Sequence, residues 1–439
     1  MPTFNSRKAS LLLKEGGVKA VIDYCYSIDS DLYSCSKQTE GQYSYLKYIE
    51  KMRRIIRYTF DEVLPDYKEP LRSSLRNHVA DSRKLRNKAS IVVLNNTSLL
   101  GHVSVLCSMS LALNNELGPS SLFVICLFAK GKYSEWKQKL SNAGLQVLPL
   151  RELSLYGRLL ECERILRPAQ YIWWGWPPGQ WLGPLICPWA KHRSVSFKYD
   201  IPSAEYFTSH HIGYGKDYAE KISDQIQIQG FHQPISVKSI PGLSDAMLRK
   251  TISVRRDDLQ QFPLSKRKTI QIGTLAREEK VAQPDFLLLV VQILKADKRL
   301  KFNWTGREKN SFVISTFDKH GLSKQQQFHG WVQSVEFLPK LDIYLDTFPY
   351  GTGEAFVTAG YFGMPIATLA SPYEAHFSNI LTDELRNILV RKSSTDYGEW
   401  VLEVARGLRE VPDSWLVQKY FLECFNDAKL DCLSTQLSL

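Results

Sequence analysis

The first candidate for chemistry in this sequence is a short polar stretch, IGTLAREEK, whose first residues are predicted to end a strand. The strand ends at Thr274, and Arg277 and Lys280 come before a helix predicted to begin near Pro284. Flexible backbone and two cations between a strand and a helix are suited to binding a diphosphate. An ordinary loop with solvated charges would contain the same residues, so this stretch alone does not decide between the two.

The second candidate is the stretch DTFPYGTGEAFVTAGYFGMPIATL, which runs from an apolar strand through a glycine-rich turn into a segment of helix length. Gly351, Thr352 and Gly353 would let backbone amides approach an anion closely. The helix predicted to begin near Glu354 would direct its partial positive N-terminus at a phosphate. Glu354 and Thr358 would lie one turn apart, within reach of a ribose or sugar hydroxyl. The stretch therefore predicts an anion-binding turn.

Two further strand ends carry polar residues. The predicted strand LKFNWTG stops at Thr305, and the predicted strand QQFHGW places His329 near its end. The carboxyl ends of parallel strands share one edge of a sheet, so these residues would lie near the two stretches described above. A lone histidine is more often structural, but the convergence of four strand ends favours a ligand contact for His329.

Histidines in the first half of the chain are the candidates for an acid–base role, because histidine titrates near neutral pH. His102 is the first candidate, and His210 and His211 in TSHHIG are the next. The opposing interpretations are a residue at a helix N-terminus for His102 and a polar loop for the other two. A metal ion is not expected, since no Asp-x-Asp occurs at a predicted strand end in the second half.

The hydrophobic pattern divides the chain into three parts. Residues 1–88 carry apolar positions at helical spacing and predict an N-terminal helical region. Residues 89–250 and 265–439 each alternate short apolar strands with amphipathic segments, which is typical of a parallel sheet wound with helices. The polar segment 248–268 is interpreted as the linker. We therefore expect an α/β protein with two Rossmann-like domains that face a cleft.

The composition is that of a folded protein with an excess of positive charge. The chain has 439 residues, of which 44% are hydrophobic and 23% charged, and it is too long for one ordinary core. Its 56 Lys and Arg exceed its 45 Asp and Glu, and much of this excess lies in residues 51–88. That region is either a solvated helical face or a contact for an anionic surface such as nucleic acid or membrane.

The cysteines and the apolar runs indicate the compartment. The eight cysteines form no C-x-x-C pair, and several lie in apolar runs, which is typical of buried thiols in a reducing environment. The first residues lack an apolar stretch of signal length, and the run FLLLVVQIL is too short to span a bilayer. A cytoplasmic location is expected.

Taken together, the stretches IGTLAREEK, NWTGREK, QFHGWVQSVEFL and DIYLDTFPYGTGEAFVTAGYFGMPIATL resemble the nucleotide-sugar domain of GT-B glycosyltransferases. The similarity is greatest to family 41, which includes the O-GlcNAc transferases and bacterial cytoplasmic N-glycosyltransferases. In that family a lysine after the first strand, a histidine at a strand end and the small-residue turn hold the nucleotide diphosphate. The resemblance assigns these roles to Lys280, His329 and the turn from Gly351 to Glu354. His102 matches a family histidine considered for catalysis or acceptor contact.

The resemblance implies a hexosyl- or N-acetylhexosaminyltransferase. Such an enzyme would move a sugar from a nucleotide-sugar donor, expected to be a UDP-sugar, to a protein, peptide or glycan acceptor. The positions of the Glu-x7-Glu pair of retaining GT-B enzymes hold Gly351 and Thr358 here, so an inverting, metal-independent reaction is expected. The family usually has an aspartate that contacts the ribose where this chain has Thr358.

Two alternative functions remain open. A nucleotide-sugar epimerase has the same two-domain architecture but needs acid–base carboxylates that face the sugar. A non-catalytic module would bind nucleic acid or an anionic membrane through residues 51–88, and its binding would depend strongly on salt.

Overall fold

A computed structural model of the chain describes part of its length, and the statements below concern that part. The described residues are 4–38, 44–64, 89–93, 122–126, 138, 141, 146–149, 170–174, 194–197, 210–213, 229–232, 237, 240, 242–371, 378 and 381–426.

The N-terminal region is helical, as the spacing of its apolar residues predicts. Helix α1 is Ser6–Gln38, with a kink at Gly17, and helix α2 is Ser44–Tyr58. The hydroxyl of Tyr48 on α2 donates to the buried carboxylate of Asp29 on α1 at 2.6 Å, which joins the two helices.

The first sheet is parallel and has seven strands. These are β1 Ala89–Val93, β2 Leu122–Cys126, β3 Gln146–Pro149, β4 Gln170–Trp174, β5 Ser194–Phe197, β6 His210–Gly213 and β7 Gln229–His232. Their order is β3-β2-β1-β4-β5-β6-β7, and every neighbouring pair is parallel. Strands β1 to β5 overlap the five short apolar runs that predict strands in this part of the sequence, at 90–94, 121–129, 145–150, 170–175 and 194–197. Strands β6 and β7 were not expected, because four-residue strands with polar residues carry little periodic signal.

The second sheet is also parallel and has six strands. These are β8 Ile270–Thr274, β9 Leu300–Trp304, β10 Gln326–Phe328, β11 Ile343–Leu345, β12 Ile366–Leu369 and β13 Val390–Arg391. Their order is β10-β9-β8-β11-β12-β13. In order of appearance this is 3-2-1-4-5-6, the strand order of a Rossmann fold, in which the chain reverses direction across the sheet between the first and fourth strands. The reversal therefore lies between β8 and β11.

Nine α-helices accompany the second sheet in the described residues. They are α3 Asp245–Gln261, α4 Glu278–Val281, α5 Pro284–Ala296, α6 Ser311–Lys319, α7 Ser334–Phe337, α8 Glu354–Tyr361, α9 Asp383–Leu389, α10 Ser394–Arg406 and α11 Ser414–Phe421. Helices α5, α6 and α8 agree within one residue at each end with the helices that the sequence pattern predicts at 284–296, 310–320 and 354–362.

The core of the second sheet fixes the ends of its central strands. Helix α5 begins with Pro284 in its first turn and buries Phe286 among the strands. The ring of Phe286 makes edge contacts with Phe302 of β9, at 6.4 Å between centroids, and with Phe348 after β11, at 5.5 Å. These aromatic contacts hold the β8–β9–β11 part of the sheet as a rigid base for the loops that follow it.

The chain divides into two compact units. One comprises Met1–Thr39, Tyr43–Gln233 and Lys429–Leu439, and the other comprises Glu40–Gln42 and Pro234–Ala428. The polar segment interpreted as a linker is largely the helix α3, which lies in the second unit and buries Leu248 and Ile252. Among the described helices none is long and apolar enough to cross a membrane.

Candidate functional site

The carboxyl edge of the second sheet brings together the candidate residues of the second half of the chain. Thr274 is the last residue of β8, Thr305 and His329 follow β9 and β10 directly, and Asp346 follows β11. The turn at 351–354 comes next and leads into α8. Open α/β sheets bind ligands at this edge, beside the strands where the order reverses, here β8 and β11.

The loop after β8 is fastened to the end of β9. The Thr305 hydroxyl accepts from the amide of Ala276 at 3.0 Å and donates to the carbonyl of the same residue at 2.9 Å. The carboxylate of Glu278 accepts from the amide of Arg307 at 2.8 Å. The buried Thr305 hydroxyl is therefore used within the protein, where it positions the loop that carries Lys280.

The two cations of this loop differ in what they contact. The Lys280 ammonium, on α4, donates to the carbonyl of Gly351 and so connects the loop to the turn after β11. Arg277 pairs with Glu279 at 3.0 Å, and its side chain is partly exposed. The structure therefore places Lys280 beside the turn.

The turn is organised by a carboxylate that the sequence analysis did not single out. Asp346 is fully buried, and its Oδ1 accepts from the amide of Thr352 at 2.7 Å and from the hydroxyl of Thr352 at 2.8 Å. Its Oδ2 accepts from the hydroxyl of Thr368 at 2.8 Å. The Thr352 hydroxyl in turn accepts from Tyr344 at 2.5 Å. Both polar hydrogens of Thr352 thus point to Asp346, and Thr352 supports the turn from inside.

A second buried hydroxyl lies beside this network. Burial raises the pKa of Tyr344 well above its usual value, and the nearby Asp346 carboxylate adds to the rise, so the phenol stays protonated. The Thr274 hydroxyl is also buried and approaches Tyr344 closely enough to oppose that rise in pKa. It makes no hydrogen bond of good geometry to the described residues. The Thr274 hydroxyl therefore lies beside the phenol of Tyr344 at the end of β8.

The N-terminus of α8 presents backbone donors. Gly353 has φ 69°, a conformation that favours glycine, and its carbonyl accepts from the amides of Phe356 at 3.0 Å and Val357 at 3.3 Å. The amides of Gly353 and Ala355 find no acceptor among the described residues. These amides and the positive end of the helix dipole form a site suited to an anion.

Thr358 lies farther along α8 and faces the protein interior. Its side chain is fully buried, and its hydroxyl donates to the carbonyl of Glu354 at 2.9 Å. Hydrogen bonds of this kind are common for threonine inside helices. This geometry does not favour the ribose contact expected for Thr358.

His329 is separate from the turn. One ring nitrogen, Nε2, lies 2.8 Å from Oδ1 of Asn303, and the ring makes an edge contact with Phe337 at 5.1 Å. Burial lowers the pKa of His329, and the positive charge of Lys340 lowers it further. Strand β10, which His329 follows, is three strands away from β11, which leads into the turn. At about 4.8 Å per strand this is a separation on the order of 15 Å.

The structure covers the first-half candidates only in part. His102 lies outside the described residues. His210 and His211 are the first residues of β6, so the polar-loop interpretation of TSHHIG is wrong. Of the basic region 51–88, the structure describes residues 51–64, in which Arg54 and Arg57 are exposed.

Two other observations concern possible ligand sites. A cavity of about 350 Å³ opens at the same edge of the sheet, between α5 and α10, and no candidate site residue lines it. Within the described part of the chain, no group of three or more His, Cys, Asp or Glu side chains is arranged to hold a metal ion.

Comparison with known proteins gives structural matches and no sequence match. No family model matches the chain, and no curated protein matches its sequence. A mutant of the Thermobaculum terrenum O-GlcNAc transferase matches with a TM-score of 0.54 at 13% identity, covering 100% of this chain and 99% of the other.

Two further solved structures are similar. The lipopolysaccharide outer core galactosyltransferase WaaB matches with a TM-score of 0.55 at 12% identity, covering 80% of this chain and 99% of the other. S. aureus MnaA, solved with UDP, matches with a TM-score of 0.50 at 12% identity, covering 79% and 94%. Identities this low show the fold alone. Together with two parallel Rossmann-like sheets and a helical N-terminal region, they show that this α/β chain has the GT-B fold.

Proposed function

We propose that this protein is a glycosyltransferase that binds a nucleotide-sugar donor at the carboxyl edge of its second sheet. The observation that carries the proposal is the anion site at the start of α8. There the amides of Gly353 and Ala355 have no acceptor among the described residues, and the Lys280 ammonium contacts the adjacent carbonyl of Gly351. Such a site lies where Rossmann-like sheets bind the diphosphate of a nucleotide.

The same groups suit the departure of a nucleoside diphosphate. When the bond between the sugar and the diphosphate breaks, negative charge grows on the phosphate oxygen that leaves. Fixed amide dipoles, the helix N-terminus and the charge of Lys280 stabilise that oxygen without needing to reorganise. Arg277, which precedes α4 and pairs with Glu279, would add a second positive charge from the same loop. This arrangement supports a metal-independent reaction.

We propose a UDP-sugar as the donor and an inverting reaction of the family 41 type. The UDP bound to MnaA and the names of the O-GlcNAc transferase and galactosyltransferase support a UDP-hexose or UDP-N-acetylhexosamine. The acceptor, a protein, peptide or glycan, attacks the anomeric carbon while the bond to the diphosphate breaks. His102, or else His211, takes the proton of the attacking group as general base.

A screen of UDP-, GDP- and dTDP-sugars for thermal stabilisation tests the donor proposal. A ligand that binds only the native state raises the melting temperature, and a UDP-sugar should raise it most. The selected donor, incubated with candidate acceptors, should then yield UDP and a product of inverted anomeric configuration.

Other outcomes of these experiments would support the alternatives. Turnover of the donor sugar without any acceptor would indicate an epimerase. If no nucleotide sugar stabilises the protein and it instead binds polyanions in a salt-dependent manner, the glycosyltransferase proposal fails.

A further inference from the structure

Asn303 has an amide orientation that its surroundings determine. Its Nδ2 lies 3.3 Å from the carbonyl of Ile272 and 3.2 Å from the carbonyl of Lys301, with Gln271 Oε1 at 2.9 Å. Backbone carbonyls only accept hydrogen bonds, so the side of the Asn303 amide that faces them must be the NH2 group. Its Oδ1 is consequently the atom that faces His329, at 2.8 Å.

This orientation determines the tautomer of His329. An amide oxygen only accepts, so the ring nitrogen opposite it, Nε2, must carry the hydrogen. The pKa of His329 is lowered by burial and by Lys340, so the ring is neutral at pH 7. A neutral ring with its hydrogen on Nε2 has a lone pair on Nδ1. That nitrogen has no partner among the described residues, and the ring is partly exposed.

The charged groups around the ring oppose its protonation. Lys340 acts on His329 from the segment that follows α7, and the ring contact from α7 itself comes from the uncharged Phe337. Asn303 faces it from β9 without a charge. No described carboxylate is close enough to raise its pKa. A diphosphate placed at Nδ1 would therefore meet a lone pair, which repels it.

We propose that Asn303 is a positioning residue that holds His329 as a neutral hydrogen-bond acceptor, directed at an N–H or O–H group of the ligand and not at its diphosphate. The proposal rests on the proposed donor site. It agrees with the position of His329 after β10, three strands away from β11, which precedes α8. An elongated donor bound by its diphosphate at α8 would place another part of its structure near His329. Asn303 and His329 then select a ligand that carries a hydrogen-bond donor at that distance.

The tautomer can be measured without any ligand. Long-range ¹H–¹⁵N spectra of the ¹⁵N-labelled protein distinguish a protonated Nε2 from a protonated Nδ1, and His329→Gln assigns the signals. We expect a single tautomer with the hydrogen on Nε2 and a pKa below that of free histidine. A hydrogen on Nδ1, or a pKa at or above the ordinary value, overturns the proposal.

The direction of the ligand contact is tested with UDP-glucose and UDP-N-acetylglucosamine, whose diphosphate diesters do not titrate near pH 7. Calorimetry of the better binder in two buffers of different ionisation enthalpy should give equal heats, because His329 takes up no proton. Uptake of one proton, absent from His329→Gln, would show that the ring binds the diphosphate as a cation, and the proposal would be wrong.

Three substitutions of His329 distinguish between two roles of this residue in ligand binding, that of a hydrogen-bond acceptor and that of a cation. His329→Gln keeps an acceptor and should stay within about threefold of the wild-type affinity, whereas His329→Ala should lose about fivefold to tenfold, the value of one hydrogen bond. His329→Arg supplies a cation and should bind no better than His329→Ala. Tighter binding by the arginine variant contradicts the proposal.

Asn303→Asp places a carboxylate opposite Nε2 and should raise the pKa of His329 by about one unit or more. If this variant does not fold, the spectra of the wild type and the binding data of the His329 variants still decide whether His329 is a neutral acceptor. If neither UDP-sugar binds, the donor proposal fails, while the tautomer measurement still tests the role of Asn303 by itself.

Discussion

The amide and the hydroxyl of Thr352 both donate to the same oxygen of Asp346, at 2.7 and 2.8 Å. The turn that precedes α8 is therefore held by a buried carboxylate on its inner side. This leaves the outer side, with the amides of Gly353 and Ala355, for a ligand. The binding surface is backbone, and its shape depends on a side chain that a ligand would not touch.

Replacing Asp346 should damage both stability and donor binding. Asp346→Ala leaves two hydroxyls and one amide without their acceptor in the interior, so we expect the free energy of unfolding to fall by about 3 kcal/mol or more. Asp346→Asn keeps one carbonyl oxygen for Thr352 and should cost about 1 kcal/mol. Urea unfolding measures both, and calorimetry with the selected UDP-sugar should show weaker binding for each.

Asp318→Ala is the matched control, because Asp318 is exposed and its carboxylate accepts from the exposed hydroxyl of Ser323. It should change stability by less than about 0.5 kcal/mol. An Asp346→Ala protein with the stability and donor affinity of this control would show that the turn does not need its carboxylate.

Alanine substitutions at Gly353 and Gly321 distinguish a loss of stability caused by backbone strain from a loss of donor binding. Its φ of 69° is nearly equal to the 70° of Gly321, which ends the α6 segment and has open space around its α-carbon. Alanine at either position should cost about 1–3 kcal/mol of stability, because a Cβ is disfavoured at positive φ, and the ψ of −121° at Gly353 lies outside the left-handed helical region as well. Only Gly353→Ala should also weaken the binding of the UDP-sugar. Equal donor affinities in the two variants would remove Gly353 from the site.

The sequence predicts the architecture better than the site. Short runs between amphipathic segments indicate β8, β9 and β12: the apolar residues alternate with other residues in IQIGT and LKFNW and are nearly continuous in IATL. The same runs indicate where strands end, and that is enough to place Thr274, Thr305 and His329 on one edge.

Side-chain partners do not follow from such patterns. Asp346 closes an apolar strand, a position from which a carboxylate can either bind a ligand or support a turn, and only the contacts of Thr352 and Thr368 show the second. Asn303 lies inside strand β9, and the residue whose ring it contacts, His329, is 26 positions away in the sequence. Pairings of this kind depend on strand order and register, which a single sequence leaves open.

Lys280 should contribute to donor binding far more than to folding. Its ammonium contacts one carbonyl of the turn, and a bound diphosphate would add charge-assisted hydrogen bonds worth about 1.5–3 kcal/mol, so Lys280→Ala should weaken donor binding about 10- to 100-fold. Lys295→Ala is the control, because Lys295 is exposed near the C-terminus of α5, where it contacts His320. Calorimetry that gives the two variants the same affinity would contradict the assignment of Lys280.

The loss of stability at acidic pH should depend on Asp297, which precedes β9 and so lies at the opposite edge of the sheet from the candidate site. Its carboxylate accepts two hydrogen bonds from the guanidinium of Arg299, at 3.0 and 2.6 Å, and this contact holds the pKa of Asp297 below its usual value. Arg299 in turn donates to the carbonyls of Ser265 at 3.0 Å and Ala405 at 3.1 Å. Asp297 therefore orients a guanidinium that joins three segments of the second unit.

Because the pKa of Asp297 is lower in the folded protein, its contribution to stability is present above about pH 4, the ordinary range of an aspartate, and is lost as the pH falls through the folded value. We expect Asp297→Asn to be less stable than the wild type at pH 7 and equally stable at strongly acidic pH. Asp383→Asn, which removes an exposed partner of Arg386, should change the profile little. Urea unfolding between pH 2 and 7 measures the difference, and a constant gap between wild type and Asp297→Asn across that range would show that Asp297 is not ionised differently in the folded protein.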